Sequence, residues 1–317
     1  MRTVNWIRRH GAAAAAAAFL VVAACSEDVP TGEGEPRDPA YVGGFGRSGH
    51  GDGQFTAPEG VAVAPNGDVY VADAGNHRIQ YFTPAGSLLG FWGTYGAGDG
   101  QFSKPSAVAV GPDATVFVAD GGNYRVQYFG ADGVFRGEWG AAGDGPGRFR
   151  DLLDVAVAPG GNVYTLDGRG RVQYFTPSGG FLGRWGTEGT RAGEFMLPQG
   201  IAVGPTGNVY VADTDNQRIQ YFTPTGSYLG LWGRYGICDG EFNGPVRVAA
   251  GADGAIYVCD YANRRVQYFG PAGEFRGKWG RGGAGEGQFV NPYGIAVTSR
   301  PVIYVVDSYL CRVQYFH

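Results

Sequence analysis

The chain has 317 residues, of which 44% are hydrophobic and 17% charged, with 58 glycines and a formal net charge of −4. An acidic chain lacks the basic surface that displaces counterions from a phosphate backbone, so no nucleic-acid partner is expected. So much glycine without a Gly-X-Y period implies many tight turns and few long helices.

Residues 1–24 read as an address. Arg2, Arg8 and Arg9 precede an apolar, alanine-rich run over residues 11–24. That run is short for a bilayer span and suits the apolar segment of an export signal. It ends Val22-Ala23-Ala24-Cys25, which resembles the bacterial lipobox. The resemblance implies a lipoprotein signal peptide, with Cys25 lipidated as the new N-terminus. An ordinary cleavage site beside a chance cysteine is the plainer alternative. Residues 25–40 carry Glu27, Asp28, Glu33, Glu35 and Asp38 against Arg37. Such a segment buries too little apolar surface to order itself and reads as a disordered acidic tether. Loss of the three signal arginines takes Lys plus Arg from 25 to 22 against 29 acids, so −4 becomes −7. The expected location is the bacterial cell envelope, touching membrane through the lipid anchor only. In a Gram-negative host, Ser26 after the cysteine implies the outer membrane.

From residue 41 the chain repeats. Six copies of [IV]QYF begin at Ile79, Val126, Val172, Ile219, Val266 and Val313, at steps of 47, 46, 47, 47 and 47. Trp92, Trp139, Trp185, Trp232 and Trp279 keep the same step, and Phe45 takes the sixth place. Such a period signals a repeat architecture. In the first copy, residues 60–63, 69–71, 78–82 and 87–92 are apolar or β-branched stretches. Pro65-Asn66-Gly67, Asp73-Ala74-Gly75-Asn76 and Thr83-Pro84-Ala85-Gly86 break them with turn residues. Nothing has the 3.6-residue period of a helix.

Four short strands per repeat, six times over, predict an all-β fold: a six-bladed β-propeller of four-stranded antiparallel blades stacked around a channel. Five aromatic positions recur in every copy and account for 30 of the 44 aromatics, as packing between blades is expected to require. The sixth repeat ends at His317 without a fourth strand, and residues 41–46 form a lone strand ahead of the first repeat. Joined, they complete the last blade and close the ring without an open edge. The propeller is expected over residues 41–317.

The pattern Pro-x-Gly-[IV]-Ala-Val, then Val-Tyr-Val-Ala-Asp-x-x-Asn-x-Arg-[IV]-Gln, with Gly-x-Gly-Gln-Phe between copies, resembles the NHL repeat across residues 41–317. The resemblance implies a six-bladed propeller. It leaves function open, because NHL proteins include interaction modules, RNA-binding modules, extracytoplasmic sensors and a zinc-dependent lyase.

Each copy pairs an Asp after strand two with an Arg before [IV]QYF: Asp73 and Arg78, Asp120 and Arg125, Asp167 and Arg171, Asp213 and Arg218, Asp260 and Arg265, Asp307 and Arg312. Across one hairpin, a carboxylate and a guanidinium can pair bidentately. Six equivalent copies argue for a structural clasp. The glycine-rich loops around Asp52, Asp99, Asp144, Asp239 and Glu286 lie on separate blades, so turn geometry explains them better than calcium binding.

Binding is sought where the repeat breaks. The first residue of the channel strand is small at Gly60, Ala107, Gly200 and Gly294 but charged at Asp154 and Arg247. The preceding residue varies: Glu59, Ser106, Leu153, Gln199, Val246, Tyr293. The loop after strand two varies at His77, Tyr124, Arg169, Gln217, Arg264 and Tyr309. Both sets belong to one face, whose loops are candidate binding elements; harmless drift between repeats is the alternative. Catalysis has little support: only His50 and His77 lie within the repeats ahead of the terminal His317, so a His₃ metal site is not available. Gluconolactonase-like propellers hold a metal through Glu, Asn and Asp, and Glu59 with Asp154 would be an incomplete set. No cofactor or metal is expected. Cys238, Cys259 and Cys311 remain after lipidation. Export permits a Cys238–Cys259 disulfide, although Cys259 stands where a sibling carries alanine. The functional expectation is a monomeric, lipid-anchored scaffold that binds a protein, peptide or glycan of the cell envelope. The alternatives are a metal-dependent hydrolase or lyase at the channel mouth and a sensor module for an envelope signalling partner.

Overall fold

A computed structural model describes residues 38–317. The signal segment, Cys25 and most of the tether lie outside the described residues. Six four-stranded antiparallel sheets follow one another in the chain. Blade one is Val61–Val63, Val69–Asp73, Arg78–Phe82 and Leu88–Trp92. Blades two to five repeat this order, ending at Trp139, Trp185, Trp232 and Trp279. Blade six is Pro292–Val297, Ile303–Asp307 and Arg312–Phe316, with Tyr41–Phe45 as its outermost strand. Tyr41 pairs with Phe316 and Phe45 with Val313.

The sequence forms these strands because its alternation matches the pleat. In each second strand every residue is buried, whereas every fourth strand keeps exposed positions, in strict alternation with half-buried ones in blades one, two and six. Second strands face a neighbouring blade on both sides, and fourth strands face solvent on one. The core is accordingly six apolar clusters, each shared by adjacent blades. The inner strand of blade one touches those of blades two and six, so the ring is continuous. The recurring aromatics pack as expected. The six loop phenylalanines from Phe55 to Phe289 are fully buried, and second-strand tyrosines stack on the Tyr of [IV]QYF, as in Tyr70 on Tyr81 at 5.5 Å. Second-strand hydroxyls also cross between blades: Tyr70 donates to Ala131 O and Tyr304 to Pro84 O, both at 2.9 Å.

Five of the six Asp–Arg clasps form, at 2.6–2.9 Å. Four of them bind through Nε alone, and only Arg171 gives Asp167 Oδ2 both Nε and Nη2. Arg78 Nε donates to Asp73 Oδ2 at 2.9 Å, which leaves Nη2 to reach Gly51 O and Gln54 O in the loop before the blade. Gln80 completes the hold, accepting from Gly53 N–H and donating to Gln54 O and Asp73. The glycine-rich loop is thus caught by its backbone, and the buried glutamine of [IV]QYF is a structural residue that the sequence reading passed over. In blade six the clasp fails. Asp307 instead accepts N–H groups from Val290, Asn291 and Leu310, and Arg312 Nε is buried without a partner. Four siblings carry Asn76, Asn123, Asn216 or Asn263 where blade six has Leu310. Each of these asparagines steadies the Asp carboxylate with its amide, although blade three has Gly170 there and its clasp still forms, so the asparagine accompanies the clasp without being required for it. Cys259 and Cys311 are free and buried, so there is no Cys238–Cys259 bridge.

Candidate functional site

The inner strands open on the axis at the end where the sequence varies. They approach closely: a Cβ at Gly200 would stand 2.6 Å from Val246 O, which accounts for the small residue there. Asp154 and Arg247 occupy this register in blades three and five. As charged exceptions to the repeat, both are candidate binding residues. The structure turns them toward each other, 2.8 Å apart, at 7% and 5% exposure. An unpaired charge so deep is costly, and pairing removes most of that cost.

Arg247 engages most of the ring. Its Nη1 donates to Gln199 O of the blade-four entry at 2.6 Å. Its Nη2 donates to Ser106 O of blade two and Leu153 O of blade three, at 3.0 and 3.2 Å. The guanidinium also lies 5.3 Å from the ring centre of Tyr293 in blade six. Asp154 accepts from Ile201 N–H of blade four and from its own Val155 N–H, each at 2.9 Å. Burial pushes the Asp154 carboxyl above its ordinary range, opposed by Arg247 and the two N–H donors. Desolvation works against the Arg247 charge, but Asp154, Tyr293 and Glu59 outweigh it and raise its pKa. The pair therefore plugs the axis and joins blades.

Around the plug, Glu59 lies 3.5 Å from Lys104, and burial raises its pKa against the pull of Lys104 and Arg247. Tyr293 hydroxyl donates to Gln199 Oε1 at 3.3 Å, and Ser106 Oγ donates to Leu152 O at 3.1 Å. Glu59 and Asp154, the two carboxylates considered as parts of a metal set, are each held by a basic side chain.

The loops after strand two share an unusual conformation. His77, Tyr124, Gln217, Arg264 and Cys311 all adopt left-handed backbone, with φ between 51° and 58°, and Gly170 takes that place in the shorter third loop. Cys311, not Tyr309, is thus the sixth register position. Side chains at this position reach the next blade: His77 Nδ1 accepts from Lys104 N–H at 3.0 Å and Gln217 Oε1 from Gly244 N–H at 2.6 Å. Tyr124 packs partly against the cluster between blades two and three. Arg169, Arg264 and Tyr309 remain exposed, Tyr309 at 69%. The candidate residues therefore divide into an internal set at the axis and an exposed set on the loops.

These features define a class: a closed six-bladed propeller whose blades are held by repeated polar clasps. The NHL repeat model matches residues 55–82, 195–222 and 242–269, within blades one, four and five, so the chain is a propeller carrying NHL repeats. Among curated proteins, it is similar to the B-box type zinc finger protein ncl-1 of Caenorhabditis elegans, 57% identical over 42 residues. It is also similar to Protein brain tumor of Drosophila melanogaster, 55% identical over 42 residues. Each match spans 13% of this chain and only 5% and 4% of those proteins. Among solved structures, a streptogramin B lyase superposes with a TM-score of 0.62 at 14% identity, covering 87% of this chain and 97% of that one. A Xanthomonas campestris gluconolactonase gives 0.62 at 14% identity, covering 84% and 88%. A Bacteroides thetaiotaomicron protein of unknown function gives 0.67 at 16% identity, covering 88% and 75%. At such identities the likeness concerns the fold alone.

Proposed function

We propose that this protein is a lipid-anchored scaffold of the bacterial cell envelope that binds a protein, peptide or glycan through the variable face of its propeller. The observation that carries the reading is the division of the variable residues. Those at the axis are spent on one another, through Asp154–Arg247 and Glu59–Lys104, whereas Arg169, Arg264 and Tyr309 stand exposed on a rigid frame. Side chains fixed on a stiff ring and open to solvent suit recognition of a partner surface. A metal-dependent reaction at the mouth would first require Glu59 and Asp154 to leave their basic partners.

The test is affinity capture from membranes with the anchor intact. A specific envelope component should be retained, and exchange of Arg169, Arg264 and Tyr309 for alanine should release it. Equal exchanges on the opposite-face turns, at Asn66 and Ser178, should not. Capture that is indifferent to the three loop residues would refute the assignment of this face. Cys25→Ser should move the protein from the membrane to the soluble fraction, and continued membrane association would refute the anchor.

A further inference from the structure

A cavity of about 510 Å³ opens on the outer part of the variable face at blade three, lined by Arg169, Arg171, Arg184, Trp185 and Glu188 among others. It lies where the repeat is altered twice. The first alteration is Arg184, which pairs across the sheet with Gln173 of the third [IV]QYF. Two siblings use this place to satisfy the clasp arginine: Glu138 pairs with Arg125, and Phe91 lies under Arg78 with 5.1 Å to its ring centre. In blade three a second guanidinium sits there instead. Arg171 and Arg184 both donate to Asp144 O, at 2.5 and 3.1 Å, so two cations converge on one carbonyl oxygen.

The second alteration removes the counter-charge. Blade five also has a cation at this register, Lys278, and there Asp239 of the entering loop pairs with it. Three residues before the buried loop phenylalanine, where Asp239 precedes Phe242, blade three has Pro146 preceding Phe149. The Asp144 carboxylate is taken by Arg150, Glu188 lies 3.8 Å from Arg169, and Asp167 is clasped by Arg171. Arg184 has no carboxylate within ion-pair distance among the described residues. Arg171 is neutralised by Asp167, so the excess charge at this point is that of Arg184, which favours an incoming anion, and a guanidinium fork suits oxyanions with several acceptor oxygens.

We propose that this cavity is a binding site for a phosphate-type oxyanion on a ligand, with Arg184 as the cationic clamp beside the clasped Arg171 and Trp185 as an apolar wall. The site stands apart from the axial plug and does not depend on the channel mouth being a binding surface. It takes from solution the negative charge that Asp239 supplies inside blade five.

The test uses the full-length protein and inorganic phosphate. Equilibrium dialysis with labelled phosphate at low ionic strength should show saturable binding. Arg184→Leu, which installs the residue that blade four carries as Leu231, should weaken it by about tenfold. Pro146→Asp should do the same by the opposite route, giving Arg184 an internal partner as in blade five. Because both variants use residues that sibling blades tolerate, both should fold, and thermal melts without phosphate check this. Arg276→Leu, on the outer strand of blade five, should bind as the parent does. Unsaturable binding in the parent protein, or equal binding in the parent and in either cavity variant, would overturn the proposal.

Discussion

Replacing Arg247 with alanine removes the positive member of the axial pair and leaves Asp154 in place. The lost contacts are the 2.8 Å ion pair and donors to Gln199 O, Ser106 O and Leu153 O. A buried carboxylate deprived of its partner costs about 3–5 kcal/mol. In a domain of this size that lowers the melting temperature by roughly 10 °C. Replacing Asp154 with alanine as well removes the orphaned charge. Both positions then resemble Ala107, which a sibling blade tolerates, and the double variant should fall within about 1–2 kcal/mol of the parent. Partial recovery in the double variant is therefore the signature. The pH dependence gives a second check. Without Arg247, burial holds the Asp154 carboxyl further above its unfolded value of 3.8. The folded state then binds the proton more tightly than the unfolded state, so stability rises as pH falls through the folded pKa and levels off below the unfolded one. Melts of the parent, both single variants and the double variant, followed by circular dichroism between pH 7 and about 4, complete the cycle. If the single Arg247→Ala loss does not exceed that of the double variant and does not shrink on acidification, the reasoning about the plug is wrong.

Deletion of residues 41–46 strips the outer strand from blade six, with the Phe45–Phe82 contact at 4.7 Å and the Tyr41–Phe316 contact at 6.1 Å. Calorimetry should show a loss of about 4–6 kcal/mol; an unchanged melt would deny the strand a part in closing the ring. Arg125→Ala loses the Asp120 pair, the Glu138 pair and three loop carbonyls and should cost about 3–4 kcal/mol. Among the described residues Arg312→Ala loses the bonds to Gly285 O and Gln288 O, and it should cost about 1–2 kcal/mol. Equal urea midpoints for these two variants would contradict the broken sixth clasp. Burial pushes the Cys259 thiol well up, so iodoacetamide at pH 8 should leave it unmodified until the protein is unfolded, as peptide mapping can establish.

The repeat was legible because packing between blades makes the same demand six times. Every blade must fill the same junction, so Phe55 and its five equivalents could be recognised as core by their step alone. The clasp was legible as a pairing but not in its geometry, because nothing in the spacing of Asp73 and Arg78 tells that Nη2 will leave the carboxylate for Gly51 O. Its failure at Asp307 had no signal in the spacing, since Asp307 and Arg312 stand five residues apart like four sibling pairs that do form. The axial charges were legible as exceptions but not as partners, since Asp154 and Arg247 are 93 positions apart in the chain.

The sequence by itself thus determined the strand pattern, the six-fold repetition and the face on which variation collects, because local alternation and turn chemistry dictate all three. Tertiary structure alone decided where the irregular residues point. Closing the ring brings first strands from distant repeats to one axis, where a 2.8 Å contact turns two apparent ligand-binding charges into an internal plug. The same closure leaves Arg184 at the rim, on the Asp144 carbonyl and with no carboxylate within ion-pair distance among the described residues. Such contacts depend on how separate blades meet, and periodicity along one chain carries no information about that meeting.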